Sequence, residues 1–570
     1  MPASLDTSCH RTPLKIGILN DSTSCSKYVH DLVQWARTTP GISVEHLIEH
    51  AHPAHTAPQT RGLLRKLWGK LLHEGVYKTL GLVARSLIFR FEARFLSRIA
   101  LHGDHGATFD LAEFGLQTTR ITPQVSASGF VYRFSPSDIE RVRSLGLDVL
   151  IRCGTGILRG DLLKAAHFGV LSFHHADNRV NRGGPPGFWE VYQRTETTGF
   201  IIQQLTEELD GGNVLFRGQF RTEAYWLLNQ ASLFLKSNVY MKLVLERLAA
   251  TRELPCAEPS MPYAGPLYRA PELRDALTYF ARMLGSKLAT TIKARLGIHP
   301  RWHVGVARAD WPQTVMWRGI EIKNPAGHFL ADPFVCTRDG RDFCFVEDYH
   351  YATNLGFITV YEIEPNGTAT ELGTALKEPF HLSFPYLFEH EGQLYMIPET
   401  SQNRDIRVYE CVEFPLQWRL KTVLMRDVAA ADTMVFSHGN KWWMLTNIDP
   451  ANADDYCSTL SLFWADSPLA SSWTPHPMNP IYVDASRARN GGLLRDGTAL
   501  YRVSQGQGFA TYGKRSRIHR IVELNEHNYQ ETCVAENNPA FGPDLIGTHH
   551  MHSNGRITVF DYCKASRIKR

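Results

Sequence analysis

The chain has 570 residues, of which 43% are hydrophobic and 21% charged, with a formal net charge of +4. That length exceeds a single core and predicts two or three domains. The small net charge gives no basis for a nucleic-acid partner, and no run of about 18 uncharged apolar residues provides a membrane-spanning helix. Ten cysteines are scattered with no CxxC pair and no Cys/His cluster at zinc spacing, so the expectation is reduced thiols and no metal site. Residues 1–13 lack the basic start and apolar run of a secretory signal, and a cytoplasmic location is expected.

In chain order, Leu14–Asn20 is an apolar run ending in polar residues and reads as the first strand of a parallel sheet, followed by a helix over Lys27–Thr38. A second strand fits 43–48. Residues 61–100 then break the α/β rhythm. Nine Lys/Arg stand there against Glu74 and Glu92, with apolar residues between them at helical spacing. The pattern predicts a basic amphipathic insertion spanning about 55–105. The α/β rhythm resumes with a helix over 135–145 capped by Ser135 or Ser137, a strand at 148–153, a helix at 160–167 and a strand at 170–173. Strands at 201–205 and 214–219 and a helix over 222–250 complete the domain, expected to be 1–255. Pro-rich sequence and a helical stretch make 256–300 a connector.

From about 300 the texture changes to short strands and turns, with a weak internal repeat. Its copies begin at Ala331, Ser383, Ala431, Ala488 and Gly547, roughly fifty residues apart, each an apolar strand, a turn and a second strand with aromatics. Five such hairpins predict an all-β five-bladed propeller over 301–570, a β-sandwich being the alternative. The fold class expected is therefore multidomain, an α/β Rossmann-like domain followed by the propeller.

The stretch 148–215 carries a set of motifs in order. They are Cys153 with the turn Gly154-Thr155-Gly156-Ile157-Leu158, then Ser172-Phe173-His174, Asn181-Arg182-Gly183-Gly184, Thr198-Gly199 and Asp210-Gly211-Gly212. This series resembles the catalytic core of the formyltransferase family, which acts on methionyl-tRNA, glycinamide ribonucleotide and sugar nucleotides. The resemblance implies N10-formyltetrahydrofolate as cofactor, with Cys153, Gly154, Gly156, Ile157 and Leu158 lining the pterin pocket. It implies His174 as the catalytic residue that donates to the oxyanion or relays a proton, oriented by Asp210. Ser172 stands where the family has Asn, an oxyanion donor, and His175, Asp177 or Asn178 are candidates to substitute for it. With Arg182 these are the expected substrate-binding residues, the substrate being an amine such as an amino sugar of a surface glycan. Altered chemistry, another acyl donor or a non-catalytic scaffold remain open because of Ser172.

In the C-terminal half the repeats place Asp332, Pro385, Asp432, Asn490 and His549 at equivalent starts, and Glu347 and Glu399 at strand ends. A propeller would gather these groups about one axis as a sugar-binding site or an acid/base pair. The layout resembles five-bladed glycoside hydrolases and, more closely, the propeller of plant sphingolipid glucosaminyltransferases. The resemblance implies glycan binding, with catalysis in the propeller as an alternative. The basic insertion implies peripheral contact of 61–100 with an anionic membrane at its inner face, against the alternative of a hairpin packed on the protein. The sequence leaves the oligomeric state open.

Overall fold

The computed structural model describes residues 12–50, 76–96 and 105–567. The protein is multidomain and mostly β, with two compact units, one ending at Ser286 and the other starting at Lys287.

The N-terminal unit holds strands β1 (Leu14–Asn20), β2 (Ile42–Glu49), β3 (Gln117–Arg120), β4 (Val131–Arg133), β5 (Val149–Arg152), β6 (Ile157–Leu158), β7 (Val170–His174), β8 (Thr197–Gln204) and β9 (Asn213–Arg221). Its longer helices are α1 (Lys27–Thr38), α2 (Val76–Leu96), α3 (Pro136–Arg143) and α4 (Trp226–Thr251), and α5 (Leu273–Arg295) spans the division between the units. A seven-stranded sheet runs in the order β9-β8-β7-β5-β1-β2-β3, parallel from β7 to β3, with β8 and β9 added antiparallel. Central strands covered on both faces must be apolar throughout, and β1 buries every residue but Lys15. Gly17 is required there, because a Cβ would lie 2.6 Å from Leu147. α1 covers the sheet with Val29, Leu32, Val33 and Ala36 at helical spacing. α3 starts where the Ser135 hydroxyl accepts from the Asp138 amide, with Pro136 in its first turn.

The helix expected over 160–167 is only a 3-10 turn, Asp161–Lys164. Gly160 and Gly169, both at positive φ, bracket it, and Gly169 sends the chain directly into β7. After β1 the chain builds outward through β2 and β3, then returns to the other side of β1 with β5 and β7. The C-terminal ends of β1 and β5 therefore flank a crevice at the point of reversal, the usual ligand position of such sheets.

Of the basic insertion, 76–96 forms α2, and 61–75 and 97–100 lie outside the described residues. α2 is anchored by Ile88, Glu92 and Leu96. The Glu92 carboxylate accepts from the Leu227 amide at 2.8 Å and from the Tyr279 hydroxyl at 2.9 Å. Burial pushes this carboxyl up to about 7 despite those two donors. A folded-state value above the unfolded one means that stability is lost as pH rises from the ordinary carboxyl range toward 7. Glu92→Gln is expected to remove that slope, a difference on the order of 3 kcal/mol between pH 4 and 8, read by urea unfolding. An unchanged slope would show that Glu92 is ionised throughout.

The C-terminal unit contains five antiparallel sheets in succession. β11 (His328–Arg338), β12 (Ser383–His390), β13 (Ala430–His438) and β14 (Asn490–Asp496) each open a meander that ends at Leu376, Arg426, Pro475 and Asn537 respectively. In the fifth sheet β16 (Thr558–Arg567) pairs with β15 (Met551–Ser553) and also with β10 (Ile298–Ala307), so the first strand of the unit joins the last sheet. The opening strands touch in a closed cycle, β11 to β12, β13, β14, β15 and back to β11. Phe334, Phe384, Met434 and Leu462 fill the space between sheets and are fully buried.

Four of the opening strands, β11 to β14, carry a bulge near their start. The pairing shifts between Ala331 and Phe334, between Ser383 and Tyr386, and between Ala431 and Met434. The residue after the first of each pair has left-handed φ: Asp332 at +47°, Phe384 at +46° and Asp432 at +48°. This register corrects the sequence alignment by one residue in two sheets. Phe384, not Pro385, is equivalent to Asp332, and Gly491, not Asn490, occupies that position in β14. In the fifth sheet His549 lies two residues before Met551, which pairs with Phe560.

Candidate functional site

In the N-terminal unit the sequence motifs converge at the C-terminal edge of the sheet. Side chains alternate along β7, so Ser172 and His174 share one face while Phe173 and His175 share the other. His174 is buried, its Nδ1 lies 3.4 Å from Asp210 Oδ1, and its Nε2 is 3.0 Å from the Asn181 carbonyl. Both ring nitrogens therefore face acceptors. Asp210 sits at φ +51° and accepts from the Gly183 amide at 3.0 Å, which fixes it opposite the histidine. Behind Asn181 lies Glu190, whose carboxyl burial pushes up.

Ser172 is 2% exposed and its hydroxyl donates to the Phe173 carbonyl at 3.0 Å. It therefore offers no free donor at the strand edge. His175 packs among Tyr28, Phe173 and Phe234, and burial lowers it to about 3. Burial raises the Asp177 carboxyl, but hydrogen bonds from Arg179 and the charge of Arg217 outweigh it and hold it low. Asn178 donates to the Asp210 carbonyl at 3.0 Å, and the Arg182 guanidinium lies 4.7 Å from the Tyr263 ring centre. Asn178, Arg182 and Arg217 line a cavity of about 370 Å³ beside the Asp210 turn.

The turn after β5 was expected to cradle a pterin. β6 lies parallel to β4, with the Ile157 amide donating to Phe130 at 2.7 Å and the Arg159 amide to Tyr132 at 3.0 Å. Alternation then turns the N–H and C=O of the intervening Leu158 away from β4. A donor and an acceptor side by side are what the edge of a pterin ring pairs with. Gly156, at φ +80°, has no room for a Cβ, which would fall 2.4 Å from the Tyr132 ring. At Gly154 a Cβ would meet Asp21 at 2.7 Å. Cys153 and Gly154 spend their amides on the Leu19 carbonyl, which pins the turn to β1. The residues fit the cofactor, with Leu158 as its hydrogen-bonding position.

In the C-terminal unit the opening strands bring Asp332, Glu347, Glu399, Asp432 and His549 together. Arg489 stands among them, its Nε 2.6 Å from Asp432 and its Nη2 3.3 Å from Glu399, with its guanidinium 5.2 Å from the Tyr512 ring centre. Gln505 donates to Asp432 at 3.0 Å. His549 Nδ1 is 2.6 Å from Asp561 and its Nε2 is 3.6 Å from Asp332, while its ring stacks on Trp302 at 4.0 Å. Asp332, His549 and Asp561, with ligand atoms within 4.8 Å of one another, form the set among the described residues that could hold a metal ion.

Acids outnumber cations here, and burial makes that costly. Burial, with Asp432 and Asp561 nearby, pushes Asp332 up to about 7 against the pull of His549. Burial also pushes Asp432 up to about 7, although Arg489 opposes it. Glu347 is driven well upward by burial and by Asp332 and Glu399. Asp561 is held low against its burial by His549 and two backbone amides. Protonated and ionised carboxyls thus stand side by side near neutral pH, a set of donors and acceptors suited to hydroxyl groups or to proton transfer.

The binding role expected for Asn490 is corrected to bracing. Its amide donates to the Asp432 and Leu445 carbonyls and is fully buried within the wall. Arg489, Gln505, Asp561 and Trp302 were not foreseen. Arg489 adjoins the Asn490-Gly491-Gly492 motif, and with Arg487 two residues before it nothing in the sequence marked which cation faces the acids. Asp561 gave no signal beyond a charge inside an apolar strand.

A family model described as "Glucosamine inositolphosphorylceramide transferase 1, N-terminal" matches residues 312–540. The glucosamine inositolphosphorylceramide transferase 1 of Arabidopsis thaliana is 32% identical over 261 residues, covering 41% of this chain and 34% of that protein. A methionyl-tRNA formyltransferase of Bacillus cytotoxicus is 29% identical over 87 residues, covering 15% of this chain and 28% of that one. Among solved structures, a family 117 glycoside hydrolase of Zobellia galactanivorans is 13% identical, covers 47% of this chain and 91% of its own, and has a TM-score of 0.31, too low to carry an argument. The chain spans about a third of the length of the glucosamine transferases it matches.

Proposed function

We propose that the protein is a glycan-directed transferase in which an N-terminal formyltransferase domain modifies an amine, and a C-terminal five-bladed β-propeller binds the glycan. The observation that carries the first half is the pairing of His174 with Asp210 at the end of β7. The chain brings residues from β7, the Arg182-Gly183 loop and the Asp210 turn to one point. When bound, N10-formyltetrahydrofolate supplies the formyl carbon. Leu158 would hold its ring edge and Gly154 and Gly156 would let the ring approach the backbone. His174 would donate to the oxyanion that develops or relay a proton. Asp210, held by the Gly183 amide, is the carboxylate that orients His174 and can take the proton that the attacking amine loses. The cavity beside Asp210, lined by Asn178 and Arg182, is the acceptor pocket, where Glu208 and Glu258 could meet an amine and the arginines an anionic nucleotide.

The second half rests on the closed cycle of opening strands, which is the arrangement of propeller blades about an axis. The match to the N-terminal part of glucosamine transferases supports a glycan ligand for the carboxyl cluster. One observation favours a different reading of the first domain: Ser172 spends its hydroxyl on its own strand, as expected if the domain has become a scaffold. Incubating the full chain with N10-formyltetrahydrofolate and nucleotide-linked amino sugars separates the two. Formation of an N-formyl sugar is expected. Binding of neither folate nor amine would refute the transferase reading and leave the scaffold.

A further inference from the structure

We propose that α2 and α5 form a docking surface for an anionic phospholipid layer. α5 has 23 residues and buries only Ala276, Tyr279 and Met283. On its opposite side Leu277, Leu284, Leu288 and Ile292 are 51%, 40%, 61% and 47% exposed. Their spacings of seven, four and four put them on one line of a helix with 3.6 residues per turn. On α2, Leu87 and Phe91, one turn apart, are also exposed, and the Phe91 ring meets Phe280 of α5 edge-on at 5.7 Å. Within the N-terminal unit Leu87, Phe91, Leu277 and Leu284 thus form a contiguous run of exposed apolar residues rather than scattered ones, and α5 itself carries the stripe on through Leu288 and Ile292.

Charge chooses the occupant. α2 and α5 together carry nine Lys/Arg against two acids, Glu92 and Asp275. Glu92 is buried and bonded to Tyr279 and Leu227, so it does not offset the cations outside. Arg90, Arg94, Arg274 and Lys293 are exposed on these helices. An apolar stripe with cationic flanks is the pattern of a helix lying in a headgroup layer, its leucines in the acyl boundary and its cations on lipid phosphates. A second copy of the same surface would set cations against cations, which disfavours self-association. No helix among the described residues is long and apolar enough to cross a membrane, so α2 and α5 lie on the layer.

The test is flotation of the full chain with vesicles of phosphatidylcholine alone or mixed with phosphatidylglycerol. Binding to the mixed vesicles is expected at low salt, at least tenfold weaker on neutral vesicles, and weakened by salt. The double variant Leu284→Glu, Leu288→Glu changes exposed positions only and should fold as wild type by circular dichroism while losing that binding at least tenfold. Three results would overturn the proposal. They are equal binding to both vesicle types, unchanged binding by the double variant, or a dimer in solution that the double variant dissociates while neither protein floats.

Discussion

His174→Ala is expected to lower formyl transfer by 10²–10⁴-fold while leaving the unfolding midpoint of the N-terminal unit within a few degrees of wild type. The ring sits at a strand end and contacts a carbonyl and a carboxylate, not the apolar core. Alanine therefore removes the imidazole and leaves Asp210 still held by the Gly183 amide and by its own turn. Asp210→Asn is the companion variant. It preserves shape and the Gly183 contact but takes the carboxylate from beside His174, so it should lower turnover with little change in stability. A His174→Ala enzyme keeping more than about a tenth of wild-type turnover would take the histidine out of the chemistry. Measuring kcat and KM separately matters, because a pocket defect raises KM and a charge defect lowers kcat.

How much of this was legible in the sequence depends on whether a feature is local. β1 and α1 have the bounds that apolar runs and helical spacing predict, because a strand buried on both faces and a helix on a sheet leave direct composition signals. The His174–Asp210 pair was readable from motif order, since each partner lies in a short stereotyped turn. The helix expected at 160–167 failed because two glycines at positive φ confine the chain to one 3-10 turn, and glycine alone does not announce its φ. The β4–β6 pairing that frees Leu158 was hidden because each strand has only two or three residues.

In the C-terminal half the five repeats were visible, but their register was not. A bulge adds one residue to one strand without altering composition, and left-handed φ at Asp332 and Asp432 turns those side chains to a face that simple alternation would not give. That is why Asn490 looked equivalent to Asp432 while Arg489, its neighbour, became the partner. Positive φ in a non-glycine residue is strained, and it recurs at the same bulge position at Asp332, Phe384 and Asp432.

Arg489→Met is expected to destabilise the C-terminal unit by about 3–5 kcal/mol at pH 8, the usual cost of leaving a buried charge without its partner. Asp432 is fully buried and Glu399 nearly so, and Arg489 is the guanidinium paired with both. Without it each carboxylate loses its counter-charge, and the chain can recover only by protonating them. Asp432 already stands at about 7 with Arg489 in place. Removing the cation moves the folded value further above the unfolded one. For an acid raised in the folded state, stability is present at low pH and lost as pH rises through the folded value. The defect should therefore be small near pH 5 and full at pH 8. Adding Asp432→Asn removes one of the stranded charges and should restore part of the loss at pH 8 while changing little at pH 5. Urea unfolding of wild type, Arg489→Met and the double variant at both pH values reads all of this. A loss of equal size at pH 5 and pH 8 would mean that Arg489 acts through packing against Tyr512. No loss at either would mean that the carboxyls are protonated without it, and that the ring holds its acids neutral.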